Sequence, residues 1–349
     1  TYLCPPKTHH KRMTGKGSCF YLLLSILALA GCQVPDSNSS NEETPETDTV
    51  KTADTSSQRR QRIRSLSETL TKNPRQPEKQ FRLAKLYTQQ EHYLKAREAI
   101  EKALTLDSAN ADYHYWSGRI YWNLDAAKQA INRTKRALDY DPDMTGAHLA
   151  LGKYFFYVKK RKKSFNHLNE ALRQDELQGE AYLYKGLNYE EMGDTADAMS
   201  NFQTVTEINP DNYRAHLHLG NLHSSEPKTA IDYLNNAVRI APDNIAARYS
   251  RGYTYQKLRK YDKARKDYKH ILEQSADHKQ ANYNMGYLQY LDTNYRKAVT
   301  RFDKVLKKDS AHLKAHLGKG LCYQELGQKQ AAKRHLNRVV DMAPQNRLA

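Results

Sequence analysis

Fourteen histidines, four cysteines and a large stock of carboxylates are the groups in this 349-residue chain that could ligate a metal, act as nucleophiles or carry protons. Their spacing does not assemble any of these chemistries. His216 and His218 are two apart, and residues two apart on a helix do not face each other. His114, His148, His216 and His316 recur in one column of a repeat, which reads as a repeated structural role. There is no zinc-ligand pattern, no GxSxG nucleophile turn, no phosphate-cradling glycine loop and no framed pair of carboxylates. Cys322 is a lone thiol inside an expected helix, where cysteine behaves as a small apolar residue. The expectation is a chain with no catalytic residue, no metal site and no cofactor.

The other three cysteines, Cys4, Cys19 and Cys32, lie near the N-terminus, so the body has no thiol pair to join. Between them, Cys19 to Ala30 form an apolar run, shorter than the roughly 20 residues a bilayer span needs. Basic Lys11, Arg12 and Lys16 precede it, and small Ala30 and Gly31 follow; this is the layout of a secretory signal. The stretch Leu29-Ala30-Gly31-Cys32 resembles the lipobox of bacterial lipoproteins. That resemblance implies cleavage before Cys32 and acylation of its thiol and new amino terminus by chains such as palmitate, several of which hold a protein on a membrane where one does not. Gln33, where an Asp would favour inner-membrane retention, points by the same resemblance to the outer membrane of a bacterial envelope. The competing reading is a short buried helix ending in Gly-Cys. Met13 opens a leader of suitable length, so residues 1–31 are read as leader, with 13–31 the signal peptide and 1–12 untranslated.

Residues 32–57 follow as a lipidated cysteine with a polar tether. The stretch from Gln33 holds six acids against Lys51 alone and almost no large apolar side chain, a composition that cannot bury enough surface to fold. The chain as a whole carries +17, so an acidic tether is joined to a strongly basic body.

The body is self-similar. Small residues recur at Ala84, Gly118, Gly152, Gly186, Gly220, Gly252, Gly286 and Gly320. A second small column runs through Ala96, Ala130, Ser164, Ala198, Ala230, Ala264, Ala298 and Ala332, and a mostly aromatic third through Tyr87, Tyr121, Phe155, Tyr189, His223, Tyr255, Gln289 and Tyr323. Periodicity within a unit is helical, as in Ala96, Ile100, Ala103 and Leu104. Pro142, Pro210, Pro242 and Pro344 close four units where a helix must stop. At these positions the chain resembles the tetratricopeptide repeat family. The resemblance implies an all-α fold, a right-handed superhelical solenoid of antiparallel helix pairs, with eight units at 77–110, 111–144, 145–178, 179–212, 213–244, 245–278, 279–312 and 313–346. Departures include a shortened fifth unit around Ser224 to Pro227, and a fourth position, Trp or Tyr in the family, that holds Gln80, His114, His148, His216, Arg248, Asn282 and His316 and keeps the aromatic at Tyr182. Residues 58–76 read as an N-terminal helix and connector. The chain stops at Ala349 without the usual polar capping helix, which is read as a surface for docking or self-association.

In that family the first helix of each pair lines a concave groove. Carried onto this chain, the inward positions supply Tyr115, Trp116, Trp122, Phe156, Tyr157, Tyr184, Tyr249, Tyr253, Tyr283, Tyr287 and Tyr290, with Lys85, Arg119 and Lys153 as a basic ladder. Large aromatics and Arg are what binding hot spots favour; the alternative is that individual rings pack between repeats. The basic run Lys159 to Lys163 is placed in the turn of the third unit, as a solvated loop or a contact with an anionic surface. The resulting expectation is a non-catalytic, lipid-anchored scaffold that binds a protein or peptide in envelope, secretion or surface-appendage assembly. Its rival is a basic protein binding anionic cell-wall glycan or lipopolysaccharide. An exported protein has no use for nucleic acid as a ligand.

Overall fold

The structure is a computed structural model that describes residues 56–343. The leader, the lipobox with Cys32 and all of the tether before Ser56 lie outside the described residues. Among the described residues there are seventeen α-helices and no strand. Helix α1 (Ser56–Lys72) starts two residues inside the stretch assigned to the tether, because Ser56 and Ser57 lead directly into a run of Gln and Arg that extends readily as helix.

Eight helix pairs follow. They are α2 (Pro77–Gln89) with α3 (Tyr93–Leu106), α4 (Ala111–Asn123) with α5 (Ala127–Tyr140), α6 (Thr145–Tyr157) with α7 (Arg161–Gln174), and α8 (Gly179–Met192) with α9 (Thr195–Ile208). Then come α10 (Tyr213–Leu222) with α11 (Pro227–Ile240), α12 (Ile245–Lys257) with α13 (Tyr261–Gln274), α14 (Lys279–Leu291) with α15 (Tyr295–Lys308), and α16 (Leu313–Glu325) with α17 (Lys329–Met342). The chain divides into two compact units, residues 56–242 and residues 243–343 of the described part. Each is a stack of these hairpins, so the fold is an all-α helical repeat of the solenoid class.

The helix ends have local causes. Asn110, Asn212 and Asn244 cap α4, α10 and α12 by accepting the backbone N–H three residues on, which satisfies one of the orphan donors of a helix start. His278 and His312 do the same for α14 and α16 through Nδ1. Between the helices of a pair the chain passes through a left-handed residue, which is Gly193 or Gly327 in two pairs but Glu91, Asp125, Lys159, Arg259 or Thr293 in five others. The deletion in the fifth pair shortens α10 to 10 residues, and Pro227 then opens α11 at its first turn. The basic run divides: Lys159 and Lys160 form the turn, whereas Arg161, Lys162 and Lys163 are already the first turn of α7. Glu191 of α8 faces two of them, 2.6 Å from Lys159 and 3.9 Å from Arg161.

The two small-residue columns are where the helices of a pair touch. Ala84, Ala96, Ala130, Ala198, Ala230, Ala264 and Ala298 are fully buried. A Cβ added at Gly186 would stand 2.7 Å from the Phe202 ring of α9, so the ring lies directly on the backbone of α8. Around these contacts run thin layers of core, such as Leu83, Ile100, Leu104 and Ile120 in the first pairs and Phe302, Val305 and Leu321 in the last.

Candidate functional site

In the unit 56–242 the proposed groove residues fall into two clusters. The first is built on α2 and α4. Trp116 lies edge-on to Phe81 at 6.1 Å and to Tyr115 at 6.5 Å. Two cations flank its indole: Lys85 Nζ is 5.1 Å and Arg119 Cζ 4.5 Å from the ring centroid. Lys85 also stands 5.2 Å from Phe81, and Arg119 5.7 Å from Tyr115. Rings of this kind attract cations through their electron-rich faces, so the sequence ladder becomes a basic patch with an aromatic floor. Lys85 makes no ion pair with any described residue. Lys153, the next rung, is 3.8 Å from Glu180 of α8, so its charge is partly spent inside the protein.

The second cluster lies at the C-terminal ends of α4 and α6 and reaches Tyr184 inside α8. Trp122 stacks on Tyr154 at 4.2 Å and meets Tyr157 at 5.6 Å. Tyr157 continues to Phe156 at 5.3 Å and to Tyr184 at 6.1 Å. Of these, Tyr157 is exposed and Trp122 half-buried. Phe156 and Tyr184 do not line a surface: they are core, at 8% and 1% exposure, packed with Leu168, Leu187 and Phe202. Burial also pushes the Tyr184 phenol well above its ordinary pKa.

In the unit 243–343, Tyr249 stacks on Tyr253 at 6.4 Å, and the Asn284 amide donates to Tyr268 Oη at 3.1 Å and to Tyr249 Oη at 3.4 Å. Tyr283 meets Phe302 and His312, and Tyr287 packs with Tyr283 around the same core. Tyr290 is buried at 7% and belongs to the interior. The sequence placed it in the groove because position within a repeat was its only guide; the neighbouring α15, through Tyr295 at 5.5 Å, covers it.

The histidine column has a definite job. His114, His148, His216 and His316 each place Nε2 within 2.9–3.0 Å of the backbone carbonyl six residues earlier, on Ser108, Pro142, Pro210 and Ser310. Asn282 reaches Ala276 in the same way. The column therefore ties the first helix of five of the eight pairs to the turn that precedes it. What the sequence did not reveal is a second polar column nineteen residues on: Arg248 meets Asp267, Asn282 meets Arg301, His148 meets His167 and His316 meets His335. The regular offset was a readable signal, but repeat periodicity does not say which side chains turn towards each other.

Among the described residues, no group of three His, Cys, Asp or Glu is placed to hold a metal ion. Burial pushes the Cys322 thiol up to about 12, which leaves it protonated and unreactive at neutral pH. No helix among the described residues is long and apolar enough to cross a membrane.

Comparison with known proteins agrees with this architecture. Models of the tetratricopeptide repeat match residues 81–134, 180–212, 245–278 and 289–349. DnaJ homolog subfamily C member 3 of Homo sapiens, and its counterparts in Bos taurus and Mus musculus, are 32% identical over 96 residues, covering 27% of this chain and 19% of theirs. The chain thus spans about a fifth of the length of the curated relatives it matches. Among solved structures, the pilF protein of Pseudomonas aeruginosa is similar with a TM-score of 0.54 at 19% identity, over 64% of this chain and 98% of that one. A human IFIT1 dimer with m7Gppp-AAAA is similar with a TM-score of 0.51 at 15% identity, over 80% of this chain and 77% of that one. At such identities the likeness speaks for the fold. With four matched stretches and eight helix pairs on the same plan, the chain is a tetratricopeptide-repeat protein.

Proposed function

We propose that this repeat protein is a non-catalytic scaffold that holds an acidic, extended protein segment on the first-helix face of the unit 56–242, and that it does so from a lipid anchor on Cys32 in a bacterial envelope. The observation that carries the binding role is the Lys85–Trp116–Arg119 cluster: two cations within about 5 Å of one indole, the lysine lacking any carboxylate partner among the described residues. Such a patch complements a carboxylate beside an apolar side chain, with the anion meeting the ammonium and guanidinium and the apolar group covering the ring. The exposed Tyr157 and half-buried Trp122 extend the aromatic surface along the same row of first helices. The tetratricopeptide repeats support a protein-interaction role; the envelope anchor and the outer-membrane address rest on the lipobox-like stretch before Cys32 and on Gln33.

A second reading, binding of an anionic envelope polymer, is favoured by the exposed Lys160, Lys162 and Lys163, which no described carboxylate neutralises. Salt separates the two, because exposed charge pairs are screened beyond about 10 Å at 0.1 M ionic strength. The test is capture of envelope proteins by the immobilised full-length chain, with Trp116→Ala and with Lys85→Glu plus Arg119→Glu. A hot-spot truncation of about 2 kcal/mol should raise the Kd for a bound protein roughly 30-fold, read from capture across a concentration series. Unchanged capture by both variants would refute the site. Capture that vanishes at 0.5 M salt and depends only on Lys160 to Lys163 would favour the polymer.

A further inference from the structure

The third and eighth repeats contain the same three-ring arrangement. His148 Nδ1 is 3.1 Å from His167 Nδ1, and His316 Nδ1 is 2.9 Å from His335 Nδ1. In both, the second histidine stacks on an aromatic ring of the first helix: His167 on Phe155 at 5.5 Å, His335 on Tyr323 at 5.7 Å. The tautomers follow from the other bonds. A carbonyl oxygen only accepts, so Nε2 of His148, held to Pro142, and Nε2 of His316, held to Ser310, carry the hydrogens. Their Nδ1 atoms then offer lone pairs, and His167 and His335 must donate from Nδ1–H.

Two imidazoles so placed could also suggest a metal site, but the surroundings oppose a divalent cation. Lys135 of α5 and Lys163 of α7 stand 5.8 Å and 5.7 Å from the Phe155 ring, and Lys319 of α16 is 5.7 Å from Tyr323. Against these cations and Arg334 of α17, the anions that act on the His167 and His335 rings among the described residues are Glu170 of α7 and Asp303 of α15, and each is already ion-paired, Glu170 with Arg173 and Asp303 with Lys319. The ligand that these pairs can exchange is the proton.

We propose that the two pairs are acid-labile cross-links that hold the helices of their repeats together through one shared Nδ1 proton and release them when both rings are charged. A first proton leaves the link intact, because an imidazolium still donates to a neutral ring. A second sets N–H against N–H about 3 Å apart, so the bond is lost and two positive charges face each other. Burial, followed by His148 and Lys135, holds His167 at about 4; burial, followed by Lys319 and His316, holds His335 at about 4. Both lie below the ordinary value of about 6.5. Their contribution to stability is therefore complete above pH 6.5, is lost as pH falls towards 4, and does not change further below that. The eighth repeat should open first, since Ala332 is the one buried side chain of α17 and the cross-link is a larger share of what holds that helix. This regulation is independent of what the chain binds.

The fold supplies its own control. In the seventh repeat the same two columns hold Asn282 and Arg301, whose 3.1 Å bond does not titrate in this range. The full-length protein and the variants H316N/H335R and H148N/H167R are compared by hydrogen exchange at equal pH. At pH 7 the α17 amides should exchange alike in wild type and H316N/H335R. At pH 4.5 wild type should exchange about tenfold faster there, after allowance for the partial exposure of the rings, while the variant stays protected. Equal exchange at pH 4.5 would overturn the proposal. If the replacement itself loosens α17 at pH 7, the ring Hε1 resonances of the wild-type protein decide. Two histidines titrating below pH 5 in step with α17 exchange support the cross-link, and all histidines titrating near 6.5 refute it.

Discussion

Asp267 offers the sharpest test of how the second unit is held together. Its side chain is 2% exposed on α13 and accepts from Arg251 at 2.9 Å and 2.7 Å and from Arg248 at 3.2 Å, both on α12. Each hydrogen bond to a charged group contributes roughly 1.5–3 kcal/mol, but the loss on truncation is dominated by the two guanidinium groups left without their anion. Removing one partner of a buried ion pair costs about 3–5 kcal/mol. Arg248 and Arg251 retain 16% and 19% side-chain exposure, so water recovers part of this and Asp267→Ala should cost about 3 kcal/mol. Repeat proteins respond through nearest neighbours, and both tryptophans lie in α4 of the other unit. Urea unfolding followed by far-UV circular dichroism should therefore show an earlier phase in the variant, while the tryptophan fluorescence midpoint stays in place. Removing all the charge, with Asp267→Leu, Arg248→Leu and Arg251→Met together, should cost less than the single change. A single variant within 0.5 kcal/mol of wild type, or a triple variant worse than the single one, would refute the reasoning.

Other outcomes follow from the same structure. Arg259 sits in the left-handed region at φ 56°, where a side chain costs roughly 1–2 kcal/mol; Arg259→Gly should raise stability by about 0.5–1 kcal/mol in urea titrations, once the added freedom of the unfolded chain is counted. His216→Leu removes the donor to the Pro210 carbonyl and should cost about 1–2 kcal/mol, with His216→Asn recovering part of it, as Asn282 does for Ala276. Acid should destabilise the protein well before carboxylates titrate. His114, His278 and His312 are also lowered, chiefly by burial, and His278 and His312 must stay neutral to accept the N–H groups they cap. Thermal midpoints should hold above pH 6.5 and fall between there and pH 4; constant midpoints across that range would contradict this.

The legible part of the protein was the part governed by local periodicity. A helix repeats every 3.6 residues, so small residues spaced along one face of two successive helices announce that those faces meet. Ala84 with Ala96, or Gly186 opposite the Phe202 ring, carry that out. The histidine column could be recognised as structural from its recurrence alone.

The partners of side chains could not be read this way, because they depend on which neighbouring helix comes within reach. Phe156, Tyr184 and Tyr290 occupy inward positions of the repeat, yet each is sealed by residues of its own and neighbouring pairs. Trp116 and Lys85 are 31 residues apart in sequence but meet at 5.1 Å because α2 and α4 lie side by side. The carbonyl that each histidine holds, and the pairing of His148 with His167 and His316 with His335, depend on hydrogen-bond directions that only the stacked backbone sets. The sequence by itself determined that the chain is a ladder of helix pairs, because helical periodicity is a property of neighbouring residues. The tertiary structure decided which rungs are core, which carry free charge and which share a proton, because burial and hydrogen bonding are properties of atoms brought together from distant parts of the chain.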